Sequence, residues 1–345
     1  MNIGDLKQRQ SLPLEMKIQK SIRTIEQFYD MYDGDVYISK GGVDSNIVEW
    51  LAKQSAYGDR IECVCVASVE PVENIRHNND LGNTLLTSTI SKTQVIRDWG
   101  YPIITKQVAM AISRYSRTKF DWVREKRLNG YIGKNGKLIK DGTIPKKYRE
   151  FIQAPFELSE ECCDKVKKKP LLSWETKSKK KPITGEMAEE SRERQSSYLK
   201  HGCIRIHTSH IKCTPIGFWT TQDIMECVYR FNIPIPKIYG EVIKLEDGTF
   251  RFSGEQRTGC EICGFGMIFD TERFERLKAR KPNLYNEMMS GGEWIRKDRY
   301  RWVKFRPNSM PIWSNLYWVP NNKGYGYKFV LNYYYKVMNI DRKIT

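Results

Sequence analysis

The stretch DVYISKGGVDSNIVEWLA, from Asp35 to Ala52, constrains this chain more than any other. Val36-Tyr37-Ile38 is a short apolar run of strand formers. It stops at the tight turn Ser39-Lys40-Gly41-Gly42-Val43-Asp44-Ser45, after which Ile47, Val48 and Leu51 fall at helical spacing. A strand that ends at paired glycines and reopens as a helix lets the backbone approach a ligand closely, and the unpaired N–H groups of the helix start attract phosphate. Asp44 and Ser45 stand where helix caps belong, and equally where an ATP phosphate or its Mg²⁺ would be held. The plainer alternative is that Gly-Gly is only a turn and Asp-Ser only a cap. These residues alone leave both open.

Around this stretch the pattern alternates. Leu14, Met16, Ile18, Ile22, Ile25, Phe28 and Tyr29 recur at helical spacing, and Arg60–Val69 reads as a second buried strand in which Cys63 and Cys65 are core residues. Thr93–Arg97 and then Gly100-Tyr101-Pro102-Ile103-Ile104 read as helix, turn and third strand. Residues 111–153 are basic and glycine-containing, giving helix, a mobile insertion near 115–150, and helix. Strands alternating with helices predict an α/β fold with a doubly wound parallel sheet, Rossmann-like in kind. The expected divisions are a helical extension over 1–30, a nucleotide-binding domain over 31–240, and a smaller cysteine-bearing lobe over 241–345.

Composition narrows the partners. The formal charge of +17 over 345 residues favours an anionic partner, whether nucleotide, nucleic acid or both. Met1–Lys20 is polar throughout, so no signal peptide is expected, and no apolar run reaches membrane-spanning length. Nine cysteines without such a signal suit a reducing, cytoplasmic setting, where thiols serve metals or chemistry.

The cysteines group. Cys260-Glu261-Ile262-Cys263, flanked by glycines, is a knuckle in which two thiolates can converge on one metal; a redox pair is the alternative. Cys203 and one of Cys162 and Cys163 would complete four ligands, with Cys163 preferred, Cys162 in reserve and Cys213 a substitute for Cys203. Four thiolates suit either Zn²⁺ or a [4Fe–4S] cluster. Cys227 falls inside an amphipathic helix and reads as core.

The loop resembles the SGGxDS pyrophosphate loop (PP-loop) of the adenine-nucleotide α-hydrolase superfamily, in particular the phosphoadenosine-phosphosulfate (PAPS) reductases and their phage-borne relatives. The family's first Ser is Lys40 here, and its Lys between Gly and Asp is Val43. On this reading Lys40 reaches a phosphate from the other side of the turn. Tyr101-Pro102 with Lys106 resembles the family's GYP-hydrophobic-SK segment. Downstream, Cys162-Cys163, Lys168, Pro170, Gly185, Met187 to Ser191, Arg194, Gly202-Cys203, Pro215, Phe218-Trp219-Thr220 and Asp223-Ile224 match its next run in order. Arg257 to Cys263, Phe265-Gly266, Arg273-Phe274, Arg276-Leu277-Lys278, Pro282 and Leu284-Tyr285 match another. The same segments are similar to the sulfur-transfer component of DNA phosphorothioation systems.

The resemblance implies an adenine nucleotide, ATP or PAPS-like, held by Ser39, Lys40, Gly41, Gly42, Asp44, Ser45, Gly185, Glu190, Ser191 and Arg194, with Lys40, Asp44, Lys106 and Arg194 catalytic. Arginine suits this role because its planar fork binds phosphate oxygens in pairs; an ordinary Glu190–Arg194 ion pair is the alternative. No cysteine follows Cys263 in a chain ending NIDRKIT, which favours adenylation with sulfur transfer over sulfonucleotide reduction. DNA or RNA is the expected sulfur acceptor, with a separate sulfur-donor protein. The opposing class is a catalytically degenerate nucleotide- or nucleic-acid-binding protein, suggested by Lys40, Val43 and an altered acidic turn at Glu70.

From Glu293 onward basic residues interleave with Trp294, Tyr300, Trp302, Trp313, Tyr317 and Trp318. That pattern fits either stacking on single-stranded nucleic acid or an edge hairpin packing its aromatics inward.

Overall fold

A computed structural model describes residues 1–206, 211–296 and 316–344. The tail residues Tyr300, Arg301, Trp302, Lys304, Arg306 and Trp313 lie outside these. The chain forms two compact units, each from two segments: residues 1–88 with 169–261, and residues 89–168 with 262–345.

The first unit holds a six-stranded sheet in the order Thr84–Leu86, Glu62–Val66, Val36–Lys40, Lys181–Thr184, Lys212–Cys213, Ile204–Arg205. Every neighbouring pair is parallel except the last. The fold is therefore mixed α/β with a largely parallel sheet, as the alternation predicts. Ile38 lies between Cys63 and Ile183, all three buried, as strands covered on both faces require. Two of the expected strands fall where the pattern puts them, at Val36–Lys40 and Glu62–Val66.

The third expected strand does not form. Tyr101 and Ile103 make single bridges to Leu158 and Gly264, all within the second unit. Gly100 and Ile104, at φ of +116° and +73°, break the extended run at both ends. The sheet's third strand is Thr84–Leu86, a half-buried tripeptide that carries no strong pattern.

Residues 1–30 are not an extension. The helix Leu14–Met31 places Leu14, Ile18, Ile22, Ile25 and Phe28 in the core of the first unit, alongside Ile47, Leu51 and Ile224. Its buried Lys17 pairs with Asp223 at 2.7 Å, the same carboxylate that accepts from the backbone of Thr220 and so helps cap the helix Thr221–Phe231. The expected boundaries at 30 and 240 thus give way to units built from interleaved segments.

The second unit packs helices Lys92–Trp99, Lys106–Arg117, Arg273–Arg280, Pro282–Met289 and Tyr327–Val337. Its core is aromatic: Tyr101 meets Phe156 and Tyr327 edge to face, and Phe156 meets Tyr333. The basic insertion forms a helix Asp121–Asn129, a hairpin of Tyr131–Ile132 with Leu138–Ile139, and a 3₁₀ stretch Lys146–Gln153. Among the described residues no helix is long and apolar enough to cross a membrane.

Candidate functional site

Strand order locates the site. From Val36–Lys40 the sheet runs to Glu62–Val66 and Thr84–Leu86 on one side and to Lys181–Thr184 and Lys212–Cys213 on the other. The winding therefore reverses at this strand, and in open α/β sheets ligands bind in the crevice outside the carboxyl end at such a reversal. Gly41-Gly42 sits at that end, and the helix Val43–Lys53 starts immediately after it with Gly42 as its N-cap. The strand–turn–helix predicted from the sequence is present.

The turn is held by the protein itself. The Ser45 hydroxyl accepts from the Gly41 N–H at 2.9 Å and donates to the Gly42 carbonyl at 2.7 Å. Buried Asn74, from the helix Val72–Asp80 after the second strand, donates to the Gly41 carbonyl at 3.2 Å and to Glu70 at 2.9 Å. Gly185, at the end of Lys181–Thr184, lies so close that a Cβ there would stand 2.8 Å from the Asp44 carbonyl carbon and 2.9 Å from the Ser45 nitrogen. Ser45 and Gly185 therefore brace the loop. Ser39 is half-buried within the strand, paired with Val64 and Thr184.

Lys40 departs from the expectation. It is the last residue of the strand, 4 % exposed, with its ammonium turned onto Glu49 at 2.5 Å and onto Asn46. Both partners lie on the loop helix, and Glu49 also takes Lys53 at 2.8 Å. Burial works to raise the Glu49 carboxyl, but the two lysines hold it below its ordinary range. The side chain expected on a phosphate is spent on a buried ion pair.

Beside the helix start a cleft of about 310 Å³ is lined by Gly42, Val43, Asp44, Glu190, Tyr239, Arg257 and Thr258, among others. Asp44 faces it, and its carboxyl is pushed up to about 7, first by burial and then by the Glu190 charge, against the pull of Arg257 and Arg194. Glu190 grips Arg194 one helical turn on and Arg257 at 3.0 Å, and accepts from the Met187 N–H at 3.1 Å. Ser191 caps the helix Arg192–His201 by accepting from the Arg194 N–H, as the sequence predicts. Glu190, Ser191 and Arg194 do come together near Asp44, with the ion pair made as well.

Four contributors, Tyr239, Thr258, Arg257 and Asn74, went unassigned in the sequence. The Tyr239 hydroxyl accepts from the Val43 N–H at 2.9 Å and shares a hydrogen bond with Thr258 at 2.6 Å. A Cβ on Gly42 would lie 2.7 Å from that hydroxyl, so the glycine here admits a tyrosine to the helix start. Arg257 supplies the second guanidinium. Arg257 and Thr258 flank the cysteine knuckle and were legible as part of its run; Tyr239 and Asn74 carry no sequence signal.

Lys106 opens the helix Lys106–Arg117 behind the N-cap Thr105, in the second unit. Of the cysteines, Cys203 and Cys260 belong to the first unit, and Cys162, Cys163 and Cys263 to the second. Burial pushes the Cys203 thiol up to about 11, and it faces the Tyr198 hydroxyl at 3.9 Å. Among the described residues no three His, Cys, Asp or Glu side chains gather as a metal site. Cys63, Cys65 and Cys227 are core residues, as expected.

Chemically, the cleft joins a helix N-terminus, the Arg257 guanidinium, whose carboxylate partner Glu190 also holds Arg194, and a carboxyl that can hold or release a proton near neutrality. No family model and no curated relative matches the sequence. Among solved structures the chain is similar to a phosphoadenylyl-sulfate (PAPS) reductase from Candida auris in complex with phosphate, with 8 % identity, a TM-score of 0.37, and coverage of 66 % of this chain and 91 % of that one.

Proposed function

We propose that this protein binds the phosphates of an adenine nucleotide, ATP or a PAPS-like sulfonucleotide, at the Gly41-Gly42 turn, and uses it for sulfur chemistry. The observation that carries the reading is the placement of that turn, with Asp44, Arg194 and Arg257, at the carboxyl end of the strand where the winding reverses. The motif resemblance supplies the adenine nucleotide and the sulfur.

Arg194 and Arg257 already grip an anion, the Glu190 carboxylate. An entering phosphate competes with Glu190 for both forks, accepting them as a carboxylate does while carrying more negative charge. The Val43 N–H, now donating to Tyr239, belongs to the first residue of the loop helix, which lines the cleft. Asp44, protonated to a substantial degree at neutral pH, adds less repulsion than an ordinary aspartate would. When ionised it is placed to hold a Mg²⁺ that accompanies the phosphates.

Adenylation of a nucleic-acid acceptor with sulfur supplied by a partner protein is the preferred chemistry, and sulfonucleotide reduction is the other. The assay is pyrophosphate release from ATP with candidate nucleic acids and a sulfur donor, beside sulfite release from PAPS. A second reading, a binding module on the same scaffold, is favoured by Lys40, whose ammonium is committed to Glu49. Tight nucleotide binding with neither product formed would select it.

A further inference from the structure

The second unit carries a long basic stretch of its own. Residues 114–149 carry 12 Lys and Arg against three Asp and Glu. Charge runs are commonly just solvated, but this one is built differently.

Its arginines make the scaffold. Arg124 donates to the Thr118 carbonyl at 2.8 Å, Arg127 to Gly142 at 2.8 Å, and Arg149 to Leu128. Its lysines are left at the rim. Lys134, Lys137, Lys140 and Lys146 are exposed, and no carboxylate of the described residues pairs with them. Lys134 and Lys137 flank the hairpin tip, where the Gly133 N–H donates to the Lys137 carbonyl and Gly136 sits at φ +72°.

Aromatics are exposed among them. The helix Asp121–Asn129 buries no residue, and Trp122 and Phe120 at its start are 65 % and 50 % exposed, their ring centroids 6.3 Å apart. Tyr131, on the hairpin, is exposed with the Lys126 ammonium 3.9 Å from its ring centre. A helix with no fully buried residue that shows an indole and a phenyl ring to solvent keeps those rings out of its own core.

We propose that this helix and hairpin form a docking surface for single-stranded nucleic acid, lysines meeting phosphates and Trp122, Phe120 and Tyr131 offering faces on which bases stack. Charge complementarity names a polyanion, and flat exposed rings favour unpaired bases over duplex. The surface lies wholly in the second unit and does not depend on the nucleotide reading.

The test uses the full chain and a fluorescein-labelled single-stranded 20-mer in anisotropy titrations at several salt concentrations. Trp122→Ala should weaken binding roughly five- to 150-fold, the worth of one stacked base, with the salt slope kept. Lys134→Ala with Lys137→Ala should lower the slope of log affinity against log salt by about 1.4, about 0.7 for each phosphate no longer neutralised. These sites are exposed, so melting temperature and ATP affinity should stay at wild-type values. Equal affinity for a duplex of the same sequence would overturn the proposal. So would unchanged binding in the variants, or retention on anionic lipid vesicles without oligonucleotide binding.

Discussion

Replacing Asp44 with asparagine should make the protein more stable, and the gain should depend on pH. A carboxyl whose ordinary value is 3.8 stands at about 7 in the folded chain, so the folded state binds its proton more tightly than the unfolded state does. Stability is therefore lost as pH rises from about 4 to about 7, because the folded chain must give up that proton to ionise. Each pH unit across this window is worth about 1.4 kcal/mol, and the whole of it about 4 kcal/mol. Asp44 lines the cleft, where water screens part of the burial cost and Arg194 and Arg257 are partners that asparagine satisfies less well, so roughly 2–4 kcal/mol should appear. Urea unfolding of wild type and Asp44→Asn at pH 4, 6 and 8 measures it. Near-equal midpoints at pH 4 should diverge steadily towards pH 8, with the variant the more stable. A variant less stable than wild type at pH 8, or a difference that does not change with pH, would refute the reasoning. A chain that keeps an ionisable group at such a cost is expected to need it, and a stabilised variant that binds nucleotide poorly is the pattern of a functional residue.

Lys40→Ala should destabilise the fold by about 3 kcal/mol, since it strips the buried Glu49 of its nearest cation while Lys53 stays; denaturant midpoints test this, and a loss below about 0.5 kcal/mol would contradict the pairing. Tyr239→Phe should tighten nucleotide binding a few-fold by calorimetry, because the Val43 N–H is released to the phosphate, and a tenfold loss would show that the hydroxyl itself contacts the ligand. Cys203, pushed up to about 11, should have a thiolate fraction at pH 8 roughly a hundredfold below that of an exposed thiol and react with iodoacetamide correspondingly more slowly than in the unfolded chain. Alkylation of Cys203 in the folded chain as fast as in the unfolded chain would contradict that shift.

The loop was legible because local signals agree there: an apolar run, two glycines, and apolar residues at helical spacing. The Ser191 cap before Arg194 was legible for the same reason. The destination of Lys40 was not. A strand's last residue alternates to a definite face, but only the helix that folds back over it decides whether Glu49 or solvent waits there. Tyr239 and Asn74 reach the turn from 196 and 33 residues away in sequence, distances at which no local pattern operates. Tyr101-Pro102-Ile103 has the composition of a strand, yet the backbone at Gly100 and Ile104 turns it into single bridges. Of the aromatic tail, the described part clusters its rings: Trp294, Trp318 and Phe329 lie with ring centroids 4.9–5.4 Å apart, Trp294 staying exposed, and Trp318 donates its indole N–H to Gly326.

The central claim is that an adenine nucleotide sits on the Gly41-Gly42 turn against Asp44, Arg194 and Arg257. Isothermal titration of ATP with Mg²⁺, and separately of PAPS, into wild type and into Arg194→Ala with Arg257→Ala tests it most directly. One nucleotide per chain should bind to wild type, and the double variant should lose at least about tenfold in affinity, as expected when charge-assisted pairs to phosphate are removed. No measurable heat from either nucleotide with wild type, or an affinity in the double variant equal to that of wild type, would contradict the account.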